Sequence, residues 1–201
     1  MLTLRSSPAS PFGRKVKMAL IVTGLIDRVN VLNADTVDPT DSIRQQNPLG
    51  KIPALVLEDG SAVYDSRVIV DWIDETEGRH TLIPTGAQRI PVLRQQALAD
   101  GLMDAAILQM YEKRFRTAQH HVQSWLDHQQ GKVDRALDFM EQHLAGVRPG
   151  VPHIGEITQA AALGYLDFRF AGAWRAAHPK LAAWLTDFVQ RVPAFDQTAP
   201  H

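Results

Sequence analysis

The sequence predicts a small α/β layer domain followed by an all-α helical bundle, and three observations carry that fold class. Up to Glu77-Gly78-Arg79-His80 the apolar runs are short and mixed in period. Within that half an Asp59-Gly60 pair sits between two apolar runs, a strong local hairpin signal. After Pro84 the apolar spacing is three and four almost throughout, the period of helices that bury one face.

Taken in chain order, Leu2 and Leu4 alternate with polar neighbours in a short strand. A helix then runs from Pro11 to about Gly24, with Val16, Ala19 and Leu20 on one face. Val29, Val31 and Leu32 predict a second strand, parallel to the first because a helix lies between them. Ala54–Leu57 and Ala62–Tyr64 form the hairpin, and a helix from Ser66 to about Thr76 places Val68, Ile69, Trp72 and Ile73 at helical spacing. In the second half, Ile90, Leu93, Ala97 and Leu98 through Met110 predict one long amphipathic helix. Val122, Trp125 and Leu126 through Leu144 predict another. Ile157 to Phe170 is apolar on nearly every side, as a central buried helix requires, and Leu181 to Val189 supplies one more helix, stopped near Pro193. Gly78, Pro84 and Gly86 cluster between the two textures, so residues 1–78 read as the α/β domain, 79–86 as a linker and 87–201 as the all-α domain.

Composition removes several function classes. The 201 residues carry a net charge of −1, which gives no overall basis for binding nucleic acid or an anionic membrane. There is no signal-peptide apolar region after Met1 and no run near the roughly 18 apolar residues a spanning helix needs, so a soluble, cytoplasmic protein is expected. Cysteine is absent, so any thiol chemistry must use a sulfur brought by a substrate. No glycine-rich nucleotide loop and no Gly-x-Ser-x-Gly elbow is present. His120, His121 and His128 have no carboxylate at ligand spacing, and no metal is expected.

Three constellations could carry chemistry. In Ser10-Pro11-Phe12-Gly13-Arg14-Lys15-Val16 a serine N-cap precedes a proline at the first helical position. The same helix end carries partial positive charge, which suits an anion or a thiolate. In Asn47-Pro48-Leu49-Gly50-Lys51-Ile52-Pro53 the final proline is either an ordinary strand-entrance residue or a cis proline that turns the Ile52 backbone outward to pair with an extended peptide. Lys51 would then stand beside that peptide as a carboxylate partner. In Tyr64-Asp65-Ser66-Arg67 both Asp65 and Ser66 are good cap residues, and together they also match an amino-acid head group, one for its ammonium and one for its carboxylate.

In order and separation these three pieces resemble the glutathione S-transferase family. The run Ala162 to Arg169, Ala-Leu-Gly-Tyr-Leu-Asp-Phe-Arg, is similar to the buried C-terminal helix of its bacterial serine-type members. The resemblance spans the whole chain and implies a thioredoxin-like N-terminal domain joined to an all-α domain. It implies an enzyme that binds glutathione as co-substrate and transfers it to a small hydrophobic electrophile. Ser10 would donate to the glutathione thiolate, and Phe12 would shape the floor between the two substrates. Ile52, ahead of a cis Pro53, would pair with the cysteinyl backbone; Lys51 would meet the glycyl carboxylate; Asp65 and Ser66 would hold the γ-glutamyl head.

The electrophile would lie against the first long helix, where Met103, Ile107 and Tyr111 share a face. Asp104, on the next face, is either a solvated acid or a group that reaches the γ-glutamyl ammonium of a neighbouring subunit in the homodimer the resemblance implies. Two other activities fit the same resemblance: a glutathione-binding or regulatory protein without turnover, and reduction of peroxides by the bound thiolate. One departure stands out. Relatives commonly begin the buried helix with Ser or Thr three residues before an acid, whereas His153 and Glu156 stand here, which predicts a weakened cap.

Overall fold

The computed structural model describes residues 1–146 and 149–200. Its first half is a four-stranded sheet with helices packed on it. The order is β1 (Leu2–Ser6), α1 (Pro11–Val22), β2 (Val29–Asn33), α2 (Ile43–Gln46), β3 (Ala54–Val56), β4 (Ala62–Val63) and α3 (Ser66–Ile73). In space the strands run β2-β1-β3-β4. β1 and β2 are parallel, with Leu2 opposite Val29, and the crossover between them is α1. β1 pairs antiparallel with β3, and β3 with β4, as the hairpin reading requires. The turn forms because Asp59 Oδ1 accepts from Ser61 N–H at 2.9 Å while Gly60 takes a positive φ of 86° that a side chain would resist. α1 stops at Gly24, also at positive φ, as predicted.

α3 is shorter than the sequence predicts. It ends at Ile73 and widens into one π-helical turn, Asp74–Gly78. Buried Asp74 explains the change: its two oxygens accept from Leu82 N–H at 2.9 Å and Ile83 N–H at 3.1 Å, drawing the following chain back onto the helix end. Leu82 C=O in turn accepts from Ile154 N–H at 2.9 Å. The stretch between the two textures is thus tied at both sides, with Leu82 and Ile83 in the core.

The second half is helical: α4 (Arg89–Phe115), α5 (Gln123–Gln142), α6 (Ile154–Phe170), α7 (Pro179–Arg191) and α8 (Ala194–Gln197). α6 is buried from Ile154 to Leu166 and packs against both α4 and α1. Gly164 allows that approach, since a Cβ there would sit 2.5 Å from the Arg14 guanidinium and 2.9 Å from the Phe195 ring. The far ends of the long helices overrun the core. Ile90, Val122 and Trp125, predicted on buried faces, are exposed, and Trp125 stacks on His128 at 6.0 Å instead.

The predicted weak start of α6 is corrected. His153 Nδ1 accepts from Glu156 N–H at 3.2 Å, and Glu156 Oε2 accepts from His153 N–H at 3.0 Å, so the reciprocal capping box is complete. An unprotonated imidazole nitrogen is an acceptor, and at this helix end it does what a serine oxygen would do. One hydrophobic cluster runs from Leu2 in β1 to Ala194 in α8, and a small second one joins Ala34, Ile43 and Ala54. Among the described residues no helix is long and apolar enough to cross a membrane. Among the described residues no three His, Asp or Glu side chains come together as a metal site.

Candidate functional site

A concavity of about 990 Å³ lies between the start of α1, the Gly50–Ile52 segment and the facing sides of α4 and α6. Ser10 enters it as the N-cap of α1. Its hydroxyl oxygen accepts from Gly13 N–H at 3.1 Å, which leaves the hydroxyl hydrogen without an acceptor among the described residues. Gly13 is required here: a Cβ would stand 2.0 Å from Ser6 Oγ at the end of β1. Proline at N1 fixes the first turn, so the hydroxyl and the helix end face the cavity together.

The second constellation is shaped by Asn47, which is 2% exposed. Its amide nitrogen donates to Lys51 C=O at 2.9 Å, its amide oxygen accepts from Leu49 N–H at 3.1 Å, and its own carbonyl accepts from Gly50 N–H at 2.8 Å. Gly50 at positive φ closes the loop. Lys51 is thereby left exposed at the cavity, Ile52 lines it, and Pro53 is buried behind. The Ile52–Pro53 bond is cis, and among the described residues neither the N–H nor the C=O of Ile52 has a hydrogen-bond partner. The sequence places Asn47 in the motif but not its role; a buried asparagine ahead of Pro and Gly was the available signal.

Asp65 and Ser66 start α3, after a cis Tyr64–Asp65 bond. Asp65 Oδ1 accepts from Arg67 N–H at 2.9 Å, and Ser66 is buried. These two do not line the large cavity; an ion-pair chain that the sequence reading missed connects their helix end to α4. Arg67 Nε lies 3.0 Å from Asp100 Oδ2, and Asp100 Oδ1 lies 2.8 Å from Lys15 Nζ, with both Lys15 and Asp100 fully buried. Burial pushes the Lys15 ammonium down, against the opposing pull of Asp100. Opposite charges inside the apolar stripes of α1 and α4 were the signal for this pair. Asp104, one turn further along α4 and lining the cavity, is raised above its ordinary value by partial burial, with Arg67 and Lys51 pulling against it.

Of the expected second-substrate residues, Ile107 and Tyr111 line the cavity. Met103 does not. It is fully buried in the core, on a face of α4 turned away from the one that Asp104, Ile107, Leu108 and Tyr111 present to the cavity. The sequence reading missed the rest of this wall: Lys113, Arg114 and Phe115 on α4, with Tyr165 and Arg169 on α6. Burial pushes the Tyr165 hydroxyl up to about 12, so it is a neutral donor at ordinary pH. A smaller concavity of about 380 Å³ around Arg67, Val68 and Gln96 holds none of the expected site residues.

Comparison with known proteins gives concordant matches. A family model described as glutathione S-transferase, N-terminal domain, matches residues 9–76, and one described as glutathione S-transferase, C-terminal domain, matches residues 123–187. The chain is 32% identical to the uncharacterized GST-like protein YibF of Escherichia coli (strain K12), over 99% of this chain and 98% of that one. A glutathione transferase family member from Pseudomonas fluorescens Pf-5, solved with bound glutathione, is 44% identical with a TM-score of 0.93 over the full length of both chains. A structure of a Pseudomonas fluorescens Pf-5 family member with bound S-(propanoic acid)-glutathione is 43% identical, with a TM-score of 0.89 and the same full coverage.

Proposed function

The chain belongs to the glutathione S-transferase family, and on that premise we propose that it binds glutathione in the large cavity, stabilises its thiolate with Ser10 and transfers it to an electrophile held against α4 and α6. One observation carries the reading. The uncommitted Ser10 hydroxyl, the unpaired Ile52 backbone and Lys51 open into one cavity that continues onto an aromatic wall. Glutathione and an S-substituted glutathione in the Pseudomonas relatives support it.

Ile52 pairs with the cysteinyl backbone, Lys51 meets the glycyl carboxylate, and Asp65 and Ser66 hold the γ-glutamyl head, with Arg67, Asp100 and Lys15 fixing that helix end. Phe12 divides the glutathione side from the electrophile side. A free thiol has a pKa of about 8.5 and is mostly protonated at neutral pH. The Ser10 O–H donates to the sulfur once its proton has gone to solvent, and the positive end of α1 favours the same charge. A hydrogen bond to a charged group contributes about 1.5–3 kcal/mol, or about 10- to 150-fold in rate if it is made fully in the transition state. The homodimer implied by the resemblance belongs to the same proposal.

Two measurements test it: retention on immobilised glutathione, then conjugation of glutathione to 1-chloro-2,4-dinitrobenzene. Retention with turnover supports the transferase reading, and Ser10→Ala then raises the pKa of bound glutathione and slows conjugation by about 10- to 150-fold. Retention without turnover supports the binding or regulatory role instead. Failure of retention overturns the glutathione reading.

A further inference from the structure

We infer that the second substrate carries an anionic group, a carboxylate on an aromatic or unsaturated body, and that Arg114 and Arg169 receive it. This rests on the proposed binding of glutathione in the same cavity, and concerns what lies beyond the sulfur.

The charge of the cavity wall is one-sided. Its charged lining residues are Lys51, assigned above to the glycyl carboxylate, and on the helical wall Asp104 followed by Lys113, Arg114 and Arg169. Beyond Asp104 that wall has three cations and no further carboxylate, in a protein whose net charge is −1. Among the described residues none of the three forms an ion pair. The acids nearest in sequence are committed elsewhere. Glu112 is buried, paired with Arg116, and accepts from Val122 N–H at 3.1 Å. Asp167 accepts from Arg175 at 2.9 and 2.6 Å and from Trp174 Nε1 at 3.0 Å. The guanidiniums rest against rings instead: Arg169 lies 4.2 Å from the Phe168 centroid and also hydrogen-bonds the Tyr165 hydroxyl on the same wall, and Arg114 lies 5.4 Å from the Phe115 centroid.

The surface around these cations suits a flat apolar body. Tyr111 and Phe115 meet edge to face at 5.4 Å, and both remain substantially exposed. A planar guanidinium beside an aromatic face recognises a carboxylate on an aromatic or unsaturated skeleton by two donors and a stacking surface. The carboxylate is not consumed. The thiolate sulfur forms a C–S bond to the electrophilic carbon, and a halide there leaves with its bonding pair, or in an activated alkene the π pair moves to the adjacent carbon and takes a proton.

Calorimetry with product-like ligands separates this inference from the reading beneath it. S-(4-carboxybenzyl)glutathione and S-(4-carbamoylbenzyl)glutathione differ in charge at nearly constant shape, and glutathione alone is the reference. A charge-assisted contact predicts that the carboxylate binds at least about 10-fold tighter than the amide in the native protein, an advantage that falls at high salt. Arg114→Gln and Arg169→Gln reduce that ratio while the affinity for glutathione itself holds. Equal or weaker binding of the carboxylate, with glutathione still bound, overturns the inference and leaves the glutathione reading standing. Variants that weaken glutathione and both conjugates alike place the guanidiniums on glutathione and overturn it too. If no ligand binds, the glutathione reading fails and takes the inference with it.

Discussion

The Ser10 oxygen caps α1 through Gly13 N–H while its hydrogen is free to donate, so one substitution confounds two effects. Two substitutions separate them. Ser10→Ala loses about 1 kcal/mol of stability with the cap, alongside the slower conjugation. Ser10→Asp keeps a good cap residue, but places a negative charge beside a thiolate, so it stays near native stability and conjugates more slowly than the alanine variant. Chemical denaturation and initial rates check the pair, and equal activity of the two variants would reduce Ser10 to a cap. Asp104 offers a test by pH. Burial raises its folded pKa above its unfolded value of 3.8, so its contribution to stability is present below that value and lost as pH rises through the folded one. Asp104→Asn is therefore expected to gain melting temperature relative to the native protein as pH rises from below 3.8 through the folded value. A difference that shrinks over that range contradicts the assignment.

Among the elements, α6 and its neighbours set the frame on which the site is built. His153 and Glu156 close its first turn, so His153→Ala is expected to cost about 0.5–2 kcal/mol in urea denaturation, and His153→Ser to restore most of it. α1, α3 and α4 meet at Asp100. Asp100→Leu leaves the Lys15 ammonium buried without its anion and should cost about 3–5 kcal/mol, whereas Lys15→Met with Asp100→Leu recovers a large part, because two apolar residues need no partner. A double variant as unstable as the single one would show that packing, rather than the stranded charge, is responsible. The sequence showed these helices clearly through their apolar spacing. It could not show that Lys15 and Asp100 face each other, since they are 85 residues apart and only the packing of α1 on α4 joins them.

At the scale of the whole molecule, one hydrophobic cluster joins β1, α1 and α3 to α4, α6 and α8, and the chain between the two textures is tied by Asp74 and Ile154. A single cooperative thermal transition, with coincident near- and far-ultraviolet circular dichroism, is expected; two separated transitions would mean that the halves unfold independently. By itself the sequence determined the fold class, the order of elements, the hairpin, the Ser10 cap and that the chain carries no thiol of its own. These depend on neighbouring residues: a 3.6-residue period, an Asp-Gly turn, a proline at a first helical position, and the absence of cysteine. Only the tertiary structure decided that Met103 belongs to the core while Tyr111 faces the cavity, that Asn47 shapes the Lys51 loop, and that Arg114 and Arg169 share one wall. The spacing along a helix says which residues share a face. What that face meets depends on chain that is remote in sequence, and it is the meeting of α4, α6 and the α1 loop that makes the cavity.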